Sequence, residues 1–150
     1  MSIGRLDEKS EGLLLLTTDG KVSAAITGNK VEKEYYVQVD GMISEQVIQQ
    51  MREGVEIKIH SKIYRTKECK VEILAKVPRF DDRPKLREER HGPTSWISIT
   101  LTEGKFRQVR KMTAAVGFPT VRLVRVRVGA VKLQGLKAGA CIEVEQLNYT

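Results

Sequence analysis

One carboxylate, Asp7, stands beside Leu6 and just ahead of the apolar run Leu13 to Leu16, in the stretch GRLDEKSEGLLLLTTDG that covers Gly4 to Gly20. Burying a charge in such company is costly unless a partner is supplied. The cation-rich stretch RQVRKM, Arg107 to Met112, offers one: Arg110 could meet Asp7 from the far side of the fold and keep it ionised. A carboxylate held that way in a low-dielectric pocket can act as a nucleophile. The alternative is that Asp7 is a turn or cap residue, with Arg5 and Arg110 solvated, and spacing alone leaves both readings open. An aromatic pair, Tyr35 and Tyr36, completes the chemistry-bearing residues. Ser-His-Asp sets, paired carboxylates, Walker or dinucleotide-binding glycine patterns and metal clusters are absent from the sequence, so no cofactor and no metal are expected. His60 and His91 are isolated and read as surface residues. Cys69 and Cys141 lie far apart without Cys or His neighbours, which suggests neither a zinc site nor a disulfide and fits a reducing, cytoplasmic setting.

The charge is polarised. Between Glu103 and Lys137 there are nine Lys or Arg (Lys105, Arg107, Arg110, Lys111, Arg122, Arg125, Arg127, Lys132 and Lys137) against one acid, a net of +8 in a chain whose formal total is +7. That is the footprint of a surface that meets phosphates. Charge alone also allows a membrane surface, an acidic protein or merely solvated helix and strand faces. No apolar stretch approaches the roughly 20 residues of a membrane span, and the N-terminus lacks a signal-peptide layout, so no membrane association is expected. With 150 residues and 41% hydrophobic content, the chain is expected to fold as one domain without staples.

These side chains need a scaffold, and the pattern describes a mixed, strand-rich one. GLLLLTTDG reads as a short buried strand, Leu13 to Thr17, closed by an Asp-Gly turn; DGKVSAAITG reads as a short helix with Asp at its start and Gly at its end. KEYYVQVDG alternates as a strand, with Tyr35, Val37 and Val39 on one face and Tyr36, Gln38 and Asp40 on the other. SEQVIQQMREG is a helix with Ser44 as N-cap and Gly54 as stop. Strands follow around Val55 to Ile59, Ile63 to Thr66 and Lys70 to Val77. The stretch from Pro78 to Pro93, PRFDDRPKLREERHGP, has five basic and four acidic residues and reads as a charged surface loop. SWISITL is a strand. KFRQVRKMTAAVG is a helix, with Phe106, Val109, Met112, Thr113 and Val116 at helical spacing. TVRLVRVRVG is a strand with a change of face or bulge between Leu123 and Val124, and a final strand is expected near Cys141 to Leu147.

Four blocks in order, GRLDEKSEGLLLLTTDG, KEYYVQVDG, LTEGKFRQVRKMTAAVGFPTVRLVRVRVG and GLKAGACIEV, resemble the single-site ribosomal RNA pseudouridine synthases, most strongly the large-subunit group. The resemblance runs from Gly4 to about Val144 and is weakest across Pro78 to Pro93. It implies an α+β fold, a mixed and largely antiparallel sheet with helices packed on it and a cleft holding Asp7. It also implies site-specific isomerisation of uridine to pseudouridine in ribosomal RNA, with no redox, energy or metal cofactor. On the matching positions, Asp7 is the nucleophile, Tyr35 stacks on the uracil, and Arg110 pairs with Asp7. Leu6 and Val109 supply the apolar pocket. Arg5, Lys33, Lys105, Arg107, Lys111 and Arg125 are the residues expected to meet RNA. A flipped base needs such an aromatic or apolar clamp, and an attacking carboxylate must be charged yet poorly hydrated.

Family members carry a segment with an Asn-Lys-Pro-type motif ahead of the Gly-Arg-Leu-Asp block, whereas three residues precede Gly4 here. The catalytic domain, residues 1–150, is therefore expected to lack an N-terminal strand. A monomer is expected, with self-association through the exposed sheet edge as the consequence of that missing strand. Two rival functions come from other classes: a non-catalytic RNA-binding module using the basic segment 103–137, and an interaction domain that turns the same face to an acidic protein.

Overall fold

The alternation in KEYYVQVD becomes β2 (Lys33–Asp40), the strand around which the sheet is built. In the computed structural model, which describes residues 2–4, 6–7, 9–28, 30–80, 92–105, 107–133, 140–144, 147 and 149, β2 pairs antiparallel with two long strands. These are β6 (Thr94–Leu101) on one side and β7 (Thr120–Val128) on the other. Outward from β6 comes β5 (Lys70–Ile73), antiparallel; outward from β7 comes β1 (Glu11–Gly12), the one parallel pairing among the described residues. A short β8 (Val131–Lys132) folds back on the end of β7. The order is therefore β1-β7-β2-β6-β5, and a separate hairpin is made by β3 (Glu56–Ile59) and β4 (Lys62–Arg65). The mixed, largely antiparallel α+β architecture expected from the sequence is the one found.

Period-two alternation sends Val37, Val39, Ile97, Ile99 and Leu123 to one face, where α2 (Glu45–Glu53) and α3 (Gln108–Ala115) cover them with Ile48, Met51, Val109 and Met112. Deleting the side chain of a fully buried residue here, such as Met51, would cost about 2–5 kcal/mol. The helix ends follow their sequence signals. Ser44 accepts from the Val47 amide at 3.4 Å, and Asp19 accepts from the Lys21 amide at 2.8 Å at the start of α1 (Gly20–Thr27). Gly54 stops α2 at φ +114°, where a Cβ would also overlap the Thr66 carbonyl. A second apolar cluster, Ile3, Leu13, Leu15, Ile26, Val31 and Val128, ties the N-terminal segment and α1 to the end of β7.

Several boundaries differ from the pattern. Leu13 to Thr17 is not a continuous strand: β1 ends at Gly12, and beyond it only an isolated antiparallel bridge joins Leu16 to Ser2, with Leu13 and Leu15 buried while Leu14 and Leu16 stay 42% and 55% exposed. An uninterrupted Leu run hides this alternation from a reading based on composition. The final strand near Cys141 to Leu147 is not formed among the described residues, and Cys141 to Val144 are exposed. β5 stops at Ile73 and leaves Val77 exposed. The irregularity in β7 falls at Val126 and Val121, which are skipped in the register with β2, rather than between Leu123 and Val124; the latter two are both buried because the sheet is covered on both faces there. Of the charged loop from Pro78 to Pro93, residues 81–91 lie outside the described part. Phe80, at its start, packs against Tyr36 and Trp96 at centroid distances of 6.2 and 6.0 Å.

Candidate active site

β1 delivers Asp7. Gly12 lies opposite Arg125 in the parallel pairing, at φ +109°, and approaches so closely that a Cβ would overlap the Arg125 backbone. The Leu13 amide donates to the Arg125 carbonyl at 2.8 Å, and Arg125 Nε donates back to the Leu13 carbonyl at 2.8 Å. Next to Gly12, Arg122 grips Glu11 in a bidentate pair, Nε and Nη2 each 2.8 Å from a carboxylate oxygen. The chain ahead of this clamp turns back, with the Ser10 amide donating to the Asp7 carbonyl at 2.9 Å. Asp7 is thus in a turn, as the plainer reading held, but its carboxylate is not left to solvent: the side chain is 28% exposed and faces two arginines.

Both arginines come from the start of α3. Arg107 Nη1 donates to Asp7 Oδ2 at 3.4 Å, and Arg110 Nε stands 4.0 Å from the same oxygen. Arg110, with only 14% of its side chain exposed, also donates from Nη2 to Ser10 Oγ at 3.1 Å, which holds the turn and the guanidinium together. Arg107 precedes the helix in the left-handed region, at φ 51° and ψ 34°, a conformation that costs a side-chain-bearing residue about 1–2 kcal/mol. The Arg110–Asp7 pairing expected from the sequence is present as an ion pair, and Arg107 adds a second one that the sequence reading had directed to RNA alone.

What holds α3 at this angle is a second carboxylate. Glu103 is 2% exposed and accepts from the Tyr64 hydroxyl, from the Lys67 amide at 2.8 Å and from Gln108 Nε2 at 2.9 Å. Gln108 Oε1 accepts from the Lys105 amide at 3.2 Å, so the first turn of α3 closes on itself as well as on β4. Burial alone would raise the Glu103 pKa, but the three donors outweigh it and hold the carboxyl below its usual value. The same hydrogen bond, with burial and the Glu103 charge added, pushes the Tyr64 hydroxyl up to about 12.

The remaining expected residues divide. Tyr35 is half-buried against the core, on the same sheet face as Arg125, its register partner on β7. Leu6 is half-buried and Val109 is buried in the core cluster. Lys105 is exposed, with Nζ 5.1 Å over the Tyr64 ring, and Lys111 is half-buried on α3. Arg5 lies outside the described residues. Lys33 and Arg125 do not form a surface for phosphates as expected: both are buried. Lys33 Nζ donates to the Gly28 carbonyl at 3.2 Å, and burial, with the Arg125 charge nearby, pushes the Lys33 ammonium below its usual pKa. Buried cations bonded to backbone carbonyls fasten the fold: Lys33 ties β2 to the end of α1, and Arg125 ties β7 to the segment that follows β1. Glu103, Gln108, Ser10 and the Glu11–Arg122 pair were not found by sequence reasoning; only Glu103 gave a signal, as the lone acid in a basic segment. A groove of about 1210 Å³ between α1 and the β7–β8 turn, lined by Ala24, Val31, Arg127 and Tyr149 among others, does not include Asp7 or its arginines.

Comparison with known proteins adds to this geometry. The family model described as RNA pseudouridylate synthase matches residues 1–115. A ribosomal large subunit pseudouridine synthase E from Vibrio parahaemolyticus is 43% identical over 144 residues, covering 95% of this chain and 59% of the relative. The protein of that name from Xanthomonas axonopodis is 42% identical over 136 residues, covering 89% of this chain and 70% of the relative. A crystal structure of a pseudouridylate synthase superposes with a TM-score of 0.68 at 35% identity, covering 88% of this chain and 50% of that one. The chain thus spans about three fifths of the length of the Vibrio relative and half that of the solved synthase.

Proposed function

The chain belongs to the RNA pseudouridylate synthase family, and on that premise we propose that residues 1–150 form a catalytic domain that isomerises uridine to pseudouridine in large-subunit ribosomal RNA, with Asp7 as the nucleophile. The observation that carries this reading is the carboxylate of Asp7, drawn from a turn ahead of β1 and set against Arg107 and Arg110 of α3. Two guanidinium groups offset the charge and aim one carboxylate oxygen, while 28% exposure of the side chain leaves an approach for substrate. In the reaction the glycosidic C–N bond breaks, the uracil turns while held, and a C–C bond forms from its C5 to the same sugar carbon. The proton lost from C5 is balanced by one gained at the freed nitrogen, so product and substrate have the same atoms.

Each neighbouring residue has a part in that sequence. Tyr35 supplies a ring face for the extruded base, with Leu6 and Val109 as apolar walls that keep water from the detached uracil. Arg110 positions Asp7, and through Ser10 the turn that carries it. Lys105, Arg107 and Lys111 are the cations placed to meet the RNA backbone, Arg107 while it also engages Asp7.

The test is Asp7→Asn, which keeps shape and hydrogen bonding but removes the nucleophile. Unmodified large-subunit ribosomal RNA is incubated with each protein and pseudouridine is mapped by carbodiimide adducts. The expected result is modification by the native chain, none by the variant, and RNA affinity within a few-fold. Pseudouridine made by the Asn variant would exclude Asp7 as nucleophile, and RNA bound without any modification by the native chain would favour a binding module.

A further inference from the structure

The β3–β4 hairpin stands apart from the main sheet and has two unlike faces. Its cross-strand pairs are Glu56 with Arg65, Ile57 with Tyr64, Lys58 with Ile63, and Ile59 with Lys62. Ile57, Ile59 and Tyr64 turn to the core beneath the α2–α3 layer. The opposite face presents Glu56, Lys58, Ile63 and Arg65, all exposed, with Ile63 at 69%. Lys62, which shares the Ile59 side of the hairpin but sits at its tip, and Lys67 just beyond β4 are exposed too. From Glu56 to Lys67 the hairpin holds four Lys or Arg against one acid, Glu56, which sits across from Arg65. This cluster lies outside the basic segment that the sequence singled out.

We infer that this hairpin, through its outer face and its tip, is a second RNA-contact surface, engaging the phosphate backbone of the strand that flanks the target uridine. The inference rests on the RNA-modifying role proposed above. Two observations choose this occupant. The first is charge: the exposed Lys58, Lys62, Arg65 and Lys67, against the one acid Glu56, give the hairpin a net positive surface that suits a phosphate chain, with Ile63 against the sugars. The second is continuity with the site. Glu103 takes hydrogen bonds from Tyr64 on β4 and from the Lys67 amide, and on its other side from Gln108 of α3. Lys105 covers the outer side of the Tyr64 ring at 5.1 Å. The hairpin is therefore tied to the helix start whose Arg107 reaches Asp7, so a strand held along it is held in register with the carboxylate. Its tip is shaped by backbone strain: His60 and Ser61 both adopt positive φ, 49° and 69°, the conformation a two-residue hairpin turn needs.

The experiment uses the 150-residue chain with an unmodified transcript of large-subunit ribosomal RNA as the probe, and measures binding across a salt series alongside single-turnover modification at saturating RNA. Lys58→Gln/Lys62→Gln should lower the slope of log K against log salt by about 1.4, from roughly 0.7 per phosphate contact on a single strand. If the contacts vanish near molar salt, that slope corresponds to about 25-fold weaker binding at about 0.1 M. Lys21→Gln/Lys30→Gln on and beside α1 removes the same charge elsewhere and should leave the slope within about 0.3 of native. An unchanged slope in the hairpin variant, or an equal fall in the α1 variant, overturns the inference. If the native chain binds RNA through the hairpin yet makes no pseudouridine, the enzymatic reading fails and the hairpin surface stands. If the native chain does not bind this RNA, both fail.

Discussion

Removing the Glu103 side chain should loosen the start of α3 while sparing the rest of the core. Glu103→Ala strips an acceptor from three donors: the Tyr64 hydroxyl, the Lys67 amide and Gln108 Nε2. Each hydrogen bond to a charged acceptor contributes about 1.5–3 kcal/mol, but the native carboxylate also carries a desolvation cost that the variant escapes. Water entering the space left behind recovers part of the loss at Tyr64, which is only half-buried. The net comes to about 3 kcal/mol, or a fall in Tm of about 6–12 °C for a domain of this size. Glu103→Gln should behave differently, because the Lys67 amide and Gln108 Nε2 both use Oε2. A glutamine with its oxygen at that position serves both and turns its amide NH2 to the Tyr64 oxygen, which can accept, so the cost should stay under about 1 kcal/mol. Thermal and urea denaturation followed by far-UV circular dichroism at neutral pH reads both values. The pH adds a check on sign: a carboxyl held below its ordinary 4.5 contributes stability that is full above that value and is lost as pH falls through the folded pKa, so the gap between native and Ala proteins should narrow in acid. A Gln variant as damaged as the Ala variant would refute the hydrogen-bond account and leave the charge itself as the essential element.

Three further outcomes follow from single features. Arg107→Gly relieves a left-handed backbone strain of about 1–2 kcal/mol and gives back about 0.4–1 through a more flexible unfolded chain, so stability should stay within about 1 kcal/mol of native while turnover drops; a parallel loss of stability would show that the strain was misread. Gly12→Ala should detach β1 and its Asp7 turn, because its Cβ overlaps the Arg125 backbone at φ +109°; faster amide exchange at Leu13 with the β2–β6 amides still protected is the expected signature, and unaltered exchange at Leu13 would contradict it. Tyr64, with its pKa pushed up to about 12, contributes stability that is full below its ordinary value of 10 and lost as pH rises from there, so Tyr64→Phe should unfold with less dependence on pH across that window, measured by alkaline denaturation.

The long elements were legible because their physics is local. β2 and β6 alternate over most of their length, and α2 opens on Ser44 and closes on Gly54. Asp7 and Arg110 could be paired on the page because a lone carboxylate beside apolar residues asks for a cation, and the family resemblance said which one. Other features were illegible for one reason: they are set by neighbours distant in sequence. The burial of Lys33 and Arg125 depends on carbonyls of Gly28 and Leu13, backbone groups that carry no sequence signal. Gly12 reads as an ordinary turn glycine until Arg125 is brought against it. Glu103 has three partners, on β4, on the loop that follows it and on α3, and in the sequence it is one acid among cations.

Asp7 and Arg107 are separated by 100 positions along the chain, and the strand that clamps the Asp7 segment, β7, comes later still. On a ribosome adding about 5–20 residues per second, the carboxylate therefore waits roughly 5–20 seconds for its guanidinium partners to be made. Until then the N-terminal segment has neither the Arg125 clamp nor the two ion pairs, and a nascent chain carries Asp7 without them. Loop closure over such a distance also places this contact among the late events of folding. Proximity of these groups thus records a late contact: Asp7 acquires its setting only once the chain through β7 has been made and folded.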